Sequence, residues 1–214
     1  MESGISGKVA LVTGGSMGIG KATAMALASQ GAKIAICARN MDRLKQAACE
    51  IQDETGATVI PISADTTSSE DITMLVWSTI SELGHIDILV NNAVNSTTAR
   101  ASELSDDIIF NHINTKVMGY IRCAREVITS MRKKGGGRII NIAGMGARNS
   151  SATNPGSGIT NSGISAYTKS LSDDVASEGI LVNCIHPGST RTQRNMQLME
   201  ENAERAGVTT DEIM

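Results

Sequence analysis

The sequence predicts an α/β fold in which a doubly wound parallel sheet carries helices on both faces. Three observations lead there. Short, almost wholly apolar runs alternate with longer stretches of helical periodicity along all 214 residues. The runs are rich in Val and Ile, as strands covered on both sides must be. The first run passes directly into a glycine-rich turn and then a helix.

The strands fall at 9–12, 33–37, 58–62, 87–90, 138–142 and 180–184, with helices at 18–30, 41–55, 68–82, 105–131 and 157–177. In the last helix, Ile164, Tyr167, Leu171 and Val175 recur at spacings of three and four and form one apolar face. Strand, helix and strand repeated in this way demand right-handed crossovers and a parallel sheet. No linker, internal repeat or low-complexity segment divides the chain, so residues 1–214 form a single domain.

Composition narrows the function classes. Hydrophobic residues make up 41% of the chain, but the only Trp, Phe and Tyr residues are Trp77, Phe110, Tyr120 and Tyr167, so the core is aliphatic. The net charge is −3, and the longest basic run is Arg132-Lys133-Lys134 before Gly135, which reads as a solvated helix end. A nucleic-acid partner is excluded on that basis. Cys37, Cys49, Cys123 and Cys184 show no paired spacing and read as reduced, buried thiols of a cytoplasmic protein. No apolar run approaches 18 residues and no charged leader opens the chain, so neither a membrane span nor secretion is expected. Metal-ligand spacing among His, Cys, Asp and Glu is also absent, so no metal is expected.

The turn after the first strand reads Thr13-Gly14-Gly15-Ser16-Met17-Gly18-Ile19-Gly20. Glycines at 14, 18 and 20 permit a tight turn and let backbone N–H groups approach a pyrophosphate at a helix N-terminus. Gly14, Ser16, Met17, Gly18, Ile19 and Gly20 are therefore the candidate phosphate-binding residues of a Rossmann-type dinucleotide domain. An NAD-selective site carries an acid at the end of the second strand, where it bonds the ribose 2′-OH. Here Arg39 and Asn40 occupy that place. The arginine's planar, permanently charged fork suits a 2′-phosphate, so NADP(H) is expected over NAD(H).

The string T-G-x-x-x-G-I-G resembles the fingerprint of the short-chain dehydrogenase/reductase family. Three further blocks are similar in the same order: Asn91-Asn92-Ala93, the run from Gly137 to Ile142, and the run from Val182 to Pro187-Gly188. The resemblance implies that Asp65 meets the adenine, that Asn92 and Ala93 line the cofactor and that Pro187-Gly188 covers the nicotinamide. It also implies a homodimer or homotetramer through the helices at 105–131 and 157–177. The family continues beyond the Pro-Gly turn into a mobile substrate helix and a seventh strand. Residues 192–214 are expected to correspond to the mobile substrate-side segment, and the C-terminal strand is expected to be missing from, or truncated in, this chain.

The family's chemistry uses an Asn, a Ser, a Tyr and a Lys. Asn114 fits the first. Counting from both sides, the tyrosine position falls on Ser157, the lysine position on Asn161 and the serine position on Gly144, thirteen residues before Ser157. Asn114, Ser157 and Asn161 are thus the candidate catalytic residues. Tyr167 and Lys169 offer no substitute, because a spacing of two puts them on different sides of a helix. His186, beside the Pro-Gly turn, and His112 are possible acids. Two readings stay open: an NADP(H)-dependent oxidoreductase of a carbonyl or secondary alcohol with a non-standard proton-delivery site, or a catalytically inactive NADP(H)-binding protein acting as sensor or assembly partner.

Overall fold

The computed structural model describes residues 4–94, 97–193, 195–196, 199–200, 203 and 207–209. Among them, strands β1 Val9–Thr13, β2 Lys33–Ala38, β3 Val59–Ser63, β4 Ile88–Asn91, β5 Gly137–Ile142 and β6 Ile180–Ile185 form one sheet. All neighbours are parallel, in the order β3-β2-β1-β4-β5-β6. The helices are α1 Gly18–Ser29, α2 Met41–Thr55, α3 Ser69–Leu83, α4 Asp106–His112, α5 Gly119–Lys134 and α6 Pro155–Val175. Pro61 sits in β3, an edge strand, where its missing N–H is tolerated.

Strand alternation divides the core between the two faces of the sheet. Val9 and Leu11 of β1 join Ile72 and Leu75 of α3 and Cys123 and Val127 of α5. Ala10 and Val12 face the other way, toward Ala24 and Ala28 of α1 and Leu44 and Ile51 of α2. Helix starts are set by local side chains. Asn40 accepts from the Arg43 amide, Ser68 from that of Asp71 and Asn154 from that of Ser157.

The structure differs from the sequence reading in three places. The helix expected over 105–131 runs from Asp106 to Lys134 but contains a π-helical turn, Ile113–Met118. A 3.6-residue periodicity cannot show such a widened turn. The helix expected from 157 begins at Pro155, whose fixed φ suits a first helical position. Of the four thiols expected to be buried, Cys37 and Cys123 are, Cys184 is half-buried, and Cys49 is exposed. Cys49 lies beyond the α2 positions Leu44, Ala47, Ala48 and Ile51 that meet the sheet. Residues 192–214, expected to be a mobile substrate-side segment, fall largely outside the described residues. Where described between Gln193 and Ala203, they are helical.

Asp87, just before β4, ties two strand starts together. One carboxylate oxygen accepts the Val9 amide at 2.9 Å and pairs with His85 Nε2 at 2.8 Å, while Lys8 Nζ lies 3.5 Å from the other. Burial works against the charge, but the Val9 amide and the charges of His85 and Lys8 outweigh it and hold the carboxyl below its ordinary pKa. A depressed carboxyl pKa stabilises the fold above the unfolded-state value and loses that contribution as pH falls through the folded one. Asp87→Ala is expected to cost about 1.5–3 kcal/mol in urea unfolding at neutral pH. The gap from the parent should close below about pH 4, where the unfolded carboxyl protonates. A gap that persists in acid would show that the charge is not the source.

Candidate active site

The strand order reverses between β1 and β4, the point at which open α/β sheets leave a crevice beyond their C-terminal ends. A cavity of about 570 Å³ opens there. Every expected cofactor residue except Gly20 lines it: the turn from Gly14 to Ile19, Arg39 and Asn40, Asp65, Asn92 and Ala93, and Pro187 and Gly188. Gly20 closes the turn from behind, where an added Cβ would stand 2.2 Å from the Gly14 carbonyl oxygen. Gly14 has φ +65°, and its Cβ would meet Asn92 Nδ2 at 2.9 Å. This turn accepts no side chains at those positions, which leaves bare backbone facing the cavity.

The rim is arranged for an anion. Arg39 is exposed at the mouth, and Arg43, one turn into α2, lines the same cavity. The sequence reading passed over Arg43, although basic residues four apart at a strand-to-helix junction are a legible signal. Asn40 spends its side-chain oxygen on capping α2. The Asp65 carboxylate accepts from both the amide and the hydroxyl of Thr67 at 2.9 Å, so part of its capacity is used on its own turn. Cys37 lines the floor, with burial pushing its thiol up to about 12 against a smaller effect of the Gly14 backbone. It is inert there. The cavity, the bare glycine turn and the cationic rim together fit a dinucleotide phosphate.

Asn114, Ser157 and Asn161 are not among the residues lining this cavity. The structure joins two of them: Asn161 Nδ2 donates to Ser157 Oγ at 3.1 Å, one turn apart on α6. Gly144 borders both the cavity and this pair, with φ +156° and a Cβ position 2.8 Å from Asn161 Nδ2. Asn114 is turned elsewhere. Its side-chain oxygen accepts from Arg122 Nη2 at 2.9 Å and its carbonyl from Arg122 Nη1 at 3.2 Å. The grouping of Asn114 with Ser157 and Asn161 therefore does not form, because the π-helical turn brings in a different residue.

That residue is Lys116, 6% exposed. Its Nζ donates to Asn161 Oδ1 at 2.6 Å and to the Ala143 carbonyl at 2.8 Å, and lies 5.9 Å from the Tyr120 ring centroid. Sequence reasoning missed it. Lys116 heads the stripe Tyr120, Cys123, Val127 and Met131, all buried at helical spacing, and a lysine on a core stripe is buried only with partners.

The remaining acids and bases serve the structure. Tyr120 donates to the Ile142 carbonyl at 2.9 Å, and burial pushes its phenol well up. Tyr167 packs against the core beneath α5, and burial outweighs nearby Arg125 to push it up to about 12. Neither tyrosine is poised to exchange a proton near neutrality. His186 donates through Nδ1 to the Gly144 carbonyl at 3.0 Å, bracing the cavity wall from behind. Buried His112 donates to the Thr97 carbonyl at 2.6 Å, and its ring lies against Gly156. Among the described residues no group of three or more His, Cys, Asp or Glu could hold a metal, and no helix is long and apolar enough to cross a membrane.

Comparison with known proteins agrees with this geometry. A short chain dehydrogenase family profile matches residues 8–203. The 3-oxoacyl-[acyl-carrier-protein] reductase FabG of Salmonella typhimurium is 33% identical over 202 residues, 94% of this chain and 80% of that protein. L-Sorbose reductase from Gluconobacter frateurii, solved with NADPH and L-sorbose, superposes with a TM-score of 0.93 at 34% identity, covering 100% of this chain and 81% of that one. A xylitol dehydrogenase solved with NAD+ superposes with a TM-score of 0.89 at 30% identity, covering 94% and 77%. With its sheet order, glycine turn and near full-length match, the chain belongs to the short-chain dehydrogenase/reductase family of oxidoreductases.

Proposed function

We propose that the protein is an NADP(H)-dependent oxidoreductase that reduces a carbonyl compound to a secondary alcohol, or runs the reverse, with a non-standard proton-delivery site. The observation that carries this reading is the cavity itself. It pairs a side-chain-free glycine turn with Arg39 and Arg43 at the place where an NAD-selective site holds an acid. Relatives named as ketoacyl and sorbose reductases support an oxo compound as substrate class. When bound, NADPH supplies the hydride. The protein's task is then to hold the ring and the carbonyl in register, exclude water and stabilise the charge that develops on oxygen.

One observation favours the rival reading, in which the protein binds NADP(H) without turnover as a sensor or assembly partner. The positions of the family's tyrosine and lysine hold Ser157 and Asn161, while Tyr120 is buried and Tyr167 half-buried, both with raised phenol pKa values. Single-turnover oxidation of NADPH by a panel of ketones separates the two. Loss of a positioned acid costs about 10²–10⁴-fold, which slows an enzyme without silencing it. The family resemblance and the scattered free thiols also support a cytoplasmic homo-oligomer, a dimer or tetramer, with no nucleic-acid or membrane partner.

Binding tests the cofactor part directly. Calorimetry should show NADPH binding more tightly than NADH, and Arg39→Ala should remove most of the difference, about 1.5–3 kcal/mol for a lost charged hydrogen bond. Equal affinities in the parent would refute the preference. Gly18 has φ +56° and only the Thr192 side chain near its Cβ position, at 3.4 Å. Gly18→Val should therefore keep the helical circular dichroism and lose NADPH binding. Retained binding would mean that the turn does not hold phosphate.

A further inference from the structure

We propose that Lys116, acting through Asn161, makes the Ser157 hydroxyl a polarised hydrogen-bond donor to the substrate carbonyl oxygen. The proposal rests on the oxidoreductase reading. In it Ser157 is the catalytic residue, and Lys116 and Asn161 are positioning residues.

The chain of contacts has a single direction. Lys116 Nζ donates to Asn161 Oδ1 at 2.6 Å, and Asn161 Nδ2 donates to Ser157 Oγ at 3.1 Å. The amide is fixed in this orientation by chemistry, because an ammonium carries donors only and must face the carboxamide oxygen. The amide N–H₂ therefore points to Ser157. With its oxygen already accepting a bond, the Ser157 hydroxyl turns its own hydrogen outward. Lys116 also donates to the Ala143 carbonyl at 2.8 Å, which is likewise an acceptor. Charge-assisted bonds in series polarise one another, and the interior strengthens them.

The chain also lies directly behind the cavity wall. Ala143 and Gly144 form the cavity wall. Gly144 presents no Cβ toward Asn161, and the Cβ position of Gly146 lies 3.4 Å from Ser157 Oγ. Small residues thus separate the hydroxyl from the cleft.

The chemistry suits a donor better than an acid. As the carbonyl carbon accepts a hydride, a C–H bond of NADPH breaks, leaving NADP+, a new C–H bond forms on the reduced carbon and the C=O π pair moves onto oxygen. The resulting alkoxide is stabilised by the Ser157 O–H and then takes its proton from a water molecule, leaving hydroxide to the solvent. Lys116 keeps its proton throughout, since a carboxamide transmits polarisation and does not relay a proton. The positive charge that the family places on the helix of the tyrosine is here supplied from the neighbouring π-helical turn.

The test uses the full chain, with NADPH and ethyl acetoacetate carrying ¹³C at the keto carbon. Ser157→Ala and Lys116→Met should each slow single-turnover hydride transfer about 10²–10³-fold, the cost of one oxyanion donor. NADPH affinity should stay unchanged. The double variant should be no slower than the slower single, because the residues act as one unit. A structural role would not move the second readout, the infrared C=O stretch of the bound ketone in the complex with NADP+. The stretch should fall on binding to the parent and return toward its free value in both variants. Exchanging the pair, Lys116→Asn with Asn161→Lys, places the charge one turn from Ser157 and should restore much of the rate and the shift. If Lys116→Met does not fold, the exchange carries the test, and a rate no better than that of Ser157→Ala overturns the proposal. Additive losses, a parental rate in Lys116→Met or an unshifted carbonyl in the parent also overturn it. A shifted carbonyl without hydride transfer in the parent would instead refute the oxidoreductase reading and leave the polarising chain intact.

Discussion

The site depends on a clamp between the ends of two neighbouring strands, β1 and β4. Buried Thr13, at the end of β1, accepts the backbone N–H groups of Asn92 and Ala93 on its hydroxyl at 2.9 and 3.1 Å. Asn92 answers by donating its side-chain amide to the Thr13 and Gly14 carbonyls at 3.1 and 3.2 Å. No ladder continues past the point where the strand order reverses, so the backbone there must find other partners. The clamp supplies them and fixes the glycine turn against the Asn-Asn-Ala segment. Gly15, whose amide donates to the Cys37 carbonyl at 3.1 Å, extends the same bracing to β2. The crevice is open because the chain leaves β1 and β4 toward opposite faces of the sheet, and its walls are set because these bonds hold them.

A second set of polar contacts carries that order to the catalytic face. Asn91 and Asn141 are register partners on β4 and β5, and Asn91 Nδ2 donates to Asn141 Oδ1 at 2.9 Å. Asn141 Nδ2 donates in turn to Thr168 Oγ1 of α6 at 2.9 Å. Three buried polar side chains thus lock the angular position of α6 on the sheet. Asn91 Oδ1 is buried with no hydrogen-bond partner among the described residues. An orphaned acceptor costs about 1–3 kcal/mol, so this ladder is a poor source of stability. Its effect is to fix one register and one helix rotation, and with them the direction in which Asn161 and Ser157 point.

The parts legible in the sequence are those that local rules decide. Strand runs show their burial by composition, and Gly14 and Gly18 show their turn because positive φ is costly for other residues. Arg39 was readable because the place of the absent acid is fixed relative to the second strand. Lys116 was not, because two rules compete at its position: helical spacing puts it on the core stripe, while its charge argues for the surface. The π-helical turn settles the matter, and turn width leaves no mark in periodicity. The direction of the Asn114 side chain, toward Arg122, was unreadable for the same reason, since a widened turn changes which of two nearby residues faces α6.

The departures from the family pattern at 144, 157 and 161 are better understood as one change than as three losses. A side chain at 144 would put its Cβ 2.8 Å from Asn161 Nδ2, so the family's serine and this asparagine rotamer exclude each other. Asn161 keeps that rotamer because Lys116 occupies its oxygen. The Ala143 carbonyl, next to Gly144, takes a second donor of the buried Lys116. The glycine at 144 thus removes the obstacle to the Asn161 rotamer that meets Lys116. Here the buried amine, the carboxamide and the hydroxyl are joined in one chain of hydrogen bonds.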